Sequence, residues 1–116
     1  MSRKDKVRAE LKREISSILH DKIKDPRLGF LTVIDVELSV DLRYANVYYS
    51  VLGPEQDEKI NQEILESASG FMRKLIAERL KLRFVPELHF ILDKSFEKSF
   101  QIQKILDDIN KNKENA

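Results

Sequence analysis

The spacing of apolar residues changes period four times along this chain, and that switching restricts its fold more than any other feature. Val7, Leu11, Ile15, Ile18, Leu19 and Ile23 recur at helical spacing, with Arg, Lys and Glu between them. This predicts an amphipathic helix over about residues 3–23. Asp25-Pro26 ends it, because a residue before proline is pushed out of the helical region. Thr32, Ile34, Val36, Leu38 and Val40 then alternate with Val33, Asp35, Glu37 and Ser39. The alternation predicts a half-buried strand with its acids outward. Asp41-Leu42 turns the chain into a second strand. There Ala45, Val47, Tyr49 and Val51 face one way and Tyr44, Asn46, Tyr48 and Ser50 the other.

Gly53-Pro54-Glu55 stops that strand and starts a helix, with acids in its first turn where the helix dipole favours them. Ile60, Ile64, Leu65, Ala68, Phe71, Met72, Leu75, Ile76 and Leu80 keep the helical period. Ser67-Ala68-Ser69-Gly70 interrupts it with four small residues. A glycine inside a helix costs about 1 kcal/mol relative to alanine. Either one helix tolerates it, or the chain kinks there into two. Pro86 precedes a third strand, in which Leu88, Phe90 and Leu92 share a face. Ser95 or Ser99 is placed to cap a last helix carrying Phe96, Ile102, Ile105, Leu106 and Ile109. Residues 110–116 are polar and are expected to form a disordered tail on a single domain of residues 1–109. The order is α-β-β-α-α-β-α. A crossover joins strands two and three, so an α+β fold with a three-stranded mixed sheet and helices on one face is expected.

The charges are sorted into blocks. Residues 1–27 carry a net +4, residues 28–69 a net −6, residues 70–86 a net +4 and residues 87–116 a net −1. A nearly neutral molecule, at +1 overall, is thereby able to present one strongly positive face. Such a face suits phosphate backbone. Arg73, Lys74, Arg79, Lys81 and Arg83 form one basic segment, and their apolar neighbours predict that they project outward. Arg3, Lys4, Lys6, Arg8, Lys12 and Arg13 form a second cluster, with Glu10 and Glu14 close enough to pair within it. A small-residue break beside the first segment lets a nucleic-acid backbone approach closely. A helix starting after the break would offer free N–H donors. The competing reading is a solvated helix face with a tolerated glycine.

The inventory argues against an enzyme. There is no cysteine, and His20 and His89 are the only imidazoles. Neither has a second histidine at metal-ligand spacing, and no P-loop, Rossmann or triad pattern is present. No catalytic residue, metal or cofactor is expected. No apolar run approaches the roughly 18 residues that span a bilayer, and no signal core opens the chain, which argues for a cytoplasmic protein without a membrane anchor. Tyr44 and Tyr48, outward on the second strand, fall in the acidic block, where packing or a partner protein suits them better than RNA.

The element order with its small-residue break resembles a type II KH domain, a single-strand RNA clamp. Such domains carry a Gly-x-x-Gly loop between the paired helices. Here Ala68-Ser69-Gly70 instead fits the Ala-x-Gly kink that replaces this loop in the bacterial ribosome-binding factor A family. Lys24-Asp25-Pro26-Arg27-Leu28-Gly29, Asp41 through Tyr48, Gly70-Phe71-Met72-Arg73 and Arg79 through Leu88 resemble the same family. Where the family has a glycine before its last helix, this chain has Ser99.

The resemblance implies a type II KH-like domain whose kinked helix pair is built on Ala68, Ser69 and Gly70. Lys24 and Arg27, in a motif shared with the family, join the expected RNA-binding set of Arg3, Lys4, Lys6, Arg73, Lys74, Arg79, Lys81 and Arg83. The implied role is a monomeric, cytoplasmic assembly factor that binds the immature small ribosomal subunit and its rRNA. It would assist late maturation and rRNA processing, including during growth in the cold, without catalysis or cofactor. An assembly GTPase is a further implied partner. Two other readings stay open: a protein-interaction adaptor working through the acidic hairpin, and a generic nucleic-acid binder using residues 71–82 as a recognition helix.

Overall fold

Ser2 opens the first helix. Its hydroxyl accepts a hydrogen bond from the Asp5 N–H at 3.1 Å and so satisfies one of the first turn's spare donors. This helix, α1 (Arg3–Asp21), buries Leu11, Ile15, Ile18 and Leu19 along one stripe. The computed structural model describes residues 2–28, 30–52, 58–94 and 105–110. After α1 come strands β1 (Phe30–Leu38) and β2 (Tyr44–Leu52), helix α2 (Glu58–Leu80) and strand β3 (Glu87–Leu92). Residues 105–110 form a further helical segment. No helix among the described residues is long and apolar enough to cross a membrane.

β2 is the central strand, antiparallel to β1 and parallel to β3. A parallel pair cannot be joined by a tight turn, and α2 supplies the crossover. Leu11, Ile15 and Ile18 from α1 meet Leu65, Met72 and Ile76 from α2 over Val36, Val47 and Phe90 of the sheet, in one core. Both helices therefore cover the same sheet face, as the alternation predicts.

Three expectations need correction. Val33, not Ile34, joins Val36 and Leu38 in the core, because a β-bulge between Val33 and Asp35 inserts an extra residue. The bulge lets two valines three apart point inward while Asp35 and Glu37 stay outside. Val40 lies beyond the strand and is 94% exposed. Its neighbours Ser39, Asp41 and Leu42 are committed to the turn, with the Ser39 carbonyl accepting from the Leu42 N–H at 3.0 Å.

The third correction is larger. The expected kinked pair is one unbroken helix, α2, running through Ala68-Ser69-Gly70. Leu65 on one side of the small residues and Met72 and Ile76 on the other are buried on a common stripe. Burying three such side chains outweighs the roughly 1 kcal/mol cost of a helical glycine. No second helix N-terminus exists there, so the expected free N–H donors are absent. The Gly53-Pro54-Glu55 start, the Ser95 and Ser99 caps and the tail beyond Asn110 lie outside the described residues.

A Cβ placed on Gly70 would meet nothing within 4 Å. Gly70→Ala is therefore expected to stabilise the protein by about 0.5–1 kcal/mol in urea denaturation, through reduced freedom of the unfolded chain. A destabilised variant would show that the helix needs a break at this point.

Candidate nucleic-acid interface

The four small residues of α2 stand between two grooves. On one side Ser67 and Ala68, with Ile60, Glu63 and Ile64, face the segment Lys22–Arg27 across a cavity of about 810 Å³. On the other, Ser69 and Gly70, with Gln62, Glu66 and Arg73, face Glu87–Phe90 of β3 across about 360 Å³. Small side chains at mid-helix thus keep both grooves open toward the α2 backbone.

The rims are set by specific bonds. At the larger groove, Asp25-Pro26-Arg27-Leu28 is a turn closed by the Leu28 N–H on the Asp25 carbonyl at 3.0 Å. The Asp25 carboxylate accepts from the Arg27 backbone N–H at 2.9 Å and from its Nε and Nη2 at 3.1 and 2.7 Å. The Arg27 guanidinium holds the Asp25 carboxyl down at about 2. At the smaller groove Gln62 is fixed by two bonds: its Oε1 accepts from the Tyr49 hydroxyl, and its Nε2 donates to the Phe90 carbonyl, both at 2.7 Å. Burial pushes the Tyr49 phenol up, so it remains a donor.

The ten basic residues singled out from the sequence divide into three groups. Arg3, Lys4 and Lys6 are exposed on the first turns of α1, and Lys24 and Arg27 on the rim of the larger groove. Lys74, Lys81 and Arg83 are exposed along the end of α2 and its exit, with no ion-pair partner among the described residues. Arg73 and Arg79 do not project freely as expected. Arg73 is half-buried, its Nη2 donating to the Val85 carbonyl at 2.8 Å, so it ties the loop after α2 back to the helix. Arg79 pairs with Glu14 of α1 at 3.3 Å. That pair also takes Glu14 away from the α1 basic cluster, where the sequence placed it.

The sequence reading missed two aromatics. Phe71 is 49% exposed on α2, next to Gly70 and one turn from the exposed Lys74, and Phe84 is 60% exposed beside Arg83. Helical spacing held the signal for Phe71: it stands about 100° around the helix from the stripe of Leu65, Met72 and Ile76. Alternating cations and open aromatic rings suit unpaired bases and their phosphates.

A family model for ribosome-binding factor A matches residues 3–106. The chain belongs to the ribosome-binding factor A family. A curated family member from Thermodesulfovibrio yellowstonii is 46% identical over 112 residues, covering 97% of this chain and 94% of that protein. The crystal structure of the family member from Thermus thermophilus superposes with a TM-score of 0.69 at 30% identity, over 78% of this chain and 97% of that one. A homology model of the Thermus thermophilus factor, fitted into a cryo-electron-microscopy map of its complex with the 30S subunit, gives a TM-score of 0.64 at 30% identity. It covers 75% of this chain and 91% of its own.

Removing the Arg73 side chain leaves a carbonyl unpaired, so Arg73→Ala is expected to cost about 1–2 kcal/mol in urea denaturation. Lys74→Ala should stay within about 0.5 kcal/mol of the parent. Because Asp25 titrates lower in the folded chain than in the unfolded one, its pairing is intact at neutral pH and is lost as pH falls through about 2. A carboxyl NMR titration of Arg27→Ala should move the Asp25 midpoint up toward the ordinary 3.8.

Proposed function

We propose that this chain binds the small ribosomal subunit through its rRNA and acts in late maturation of that subunit. The observation that carries the reading is its likeness to the family member fitted into a 30S complex. The arrangement of the surface supports it. Lys74, Lys81 and Arg83 take phosphates along α2 and its exit, while Phe71 and Phe84 offer stacking surfaces between them. Lys24 and Arg27 hold the strand at the larger groove, and Arg3, Lys4 and Lys6 extend the basic surface. Arg73 supports this surface from within, and Arg79 is held against α1 by Glu14. The open backbone at Gly70 admits a sugar-phosphate chain closer than a side chain would. Action in rRNA processing and in cold growth, an assembly GTPase as partner, a cytoplasmic location and a monomeric state complete the reading, and rest on family membership. A duplex-reading helix fits less well, since burial of Met72 and Ile76 takes two central positions of α2 away from bases.

Co-sedimentation of the protein with immature small subunits at two salt concentrations tests this. A Lys74, Lys81 and Arg83 to Glu variant should keep its stability and lose subunit binding. Single alanine variants should each reduce the slope of log affinity against log salt by about 0.7–0.9. Undiminished binding by the triple variant would move the interface elsewhere.

A further inference from the structure

The sheet face turned away from both helices is organised too, and it has the opposite charge. Cross-strand register sets its side chains in rows. Asp35, Tyr48 and Ile91 lie side by side, then Glu37, Asn46 and His89, then Tyr44 and Glu87. Every row holds one carboxylate and none holds a lysine or arginine. Tyr44 is 48% exposed and Ile91 38%. The positions are held by short contacts. The Tyr44 and His89 rings lie 5.8 Å apart, His89 Nε2 is 3.8 Å from a Glu87 oxygen, and the Asn46 amide donates to Glu37 at 3.3 Å. Asp35 and Glu37 come from the acidic block of residues 28–69, and Glu87 joins them from β3.

We propose that this face docks an extended, arginine-rich protein segment. Charge complementarity selects the occupant: three carboxylates repel phosphate and attract guanidinium groups, and the tyrosines give those planar cations rings to stack on. The geometry agrees. Successive rows stand about 6.5–7 Å apart, the spacing of alternate residues on an extended peptide. Each second side chain of such a segment therefore meets a fresh carboxylate. The surface is on the opposite side of the sheet from α1 and α2, so the protein can hold RNA on one side and a cationic protein tail on the other. The inference stands on the sheet face alone and survives failure of the rRNA reading.

Titration of the full chain with an arginine nonapeptide, followed by backbone-amide NMR, tests the proposal. Shifts should centre on residues 35, 37, 44, 48, 87 and 91, and a lysine nonapeptide should bind about threefold more weakly for want of stacking. Glu37→Gln with Glu87→Gln should weaken arginine-peptide binding about fivefold or more at unchanged stability, since both side chains are exposed. Glu10→Gln with Glu78→Gln removes as many charges from the helices and should change nothing. Equal losses in the two double variants, or equal affinity for the two peptides, would reduce the effect to overall charge and overturn the proposal. So would shifts centred on α2, or a uridine-rich oligonucleotide that moves the same sheet amides.

Discussion

The parallel pairing of β2 with β3 is the constraint on which the remaining structure hangs. Two neighbouring strands that run the same way need a connection as long as the strands themselves, and a helix is the connection that satisfies its own backbone. α2 fills that role and lies over the sheet because Leu65, Met72 and Ile76 bury there with the stripe of α1. Its span places the small residues Ser67–Gly70 at mid-helix, between the Lys22–Arg27 turn and β3. The Arg73 bond to the Val85 carbonyl then brings the chain around into β3. The grooves thus follow from the way the sheet is connected.

Much of the fold was legible because burial on one side of a helix or strand writes its period into the sequence. α1 and β3 follow their patterns closely, and β2 does so except at Ser50, which was expected outward and is buried. Besides Val40, which the turn takes out of β1, two places departed from theirs for identifiable reasons. At Val33–Asp35 strict alternation failed, since a bulge absorbs one residue and nothing local marks Ile34 as the extra one. At Ser67–Gly70 local weakness suggested a break, but tertiary burial on both sides of the glycine held one helix together. The site was less legible than the fold. Composition showed which residues are cationic, yet whether an arginine meets solvent depends on distant partners. Arg73 finds a carbonyl twelve residues on, and Arg79 finds Glu14 on the other helix. Phe71 and Phe84 went unnoticed because an aromatic residue in an apolar pattern reads as core.

Charge is separated across the thickness of the molecule. Exposed basic residues line α1, the end of α2 and the loops that leave the two helices, while the hairpin and β3 place carboxylates on the far sheet face. Opposite signs on opposite faces reduce internal repulsion and give the molecule a preferred approach to a polyanion. A protein with the same net charge evenly mixed would have neither property.

The edges of the sheet bear on solubility. Unpaired strand edges invite other chains to add to a sheet, and a three-stranded sheet has two such edges for very little interior. On β3 the outer edge is already engaged, with the Phe90 carbonyl held by Gln62 and α2 lying alongside. On β1 the bulge bends the strand at Ile34, so a straight incoming strand would lose register midway. Aggregation by edge-to-edge growth is thus opposed at both margins, by a side-chain hydrogen bond at one and by backbone irregularity at the other. A sheet of only three strands gains from having neither margin open.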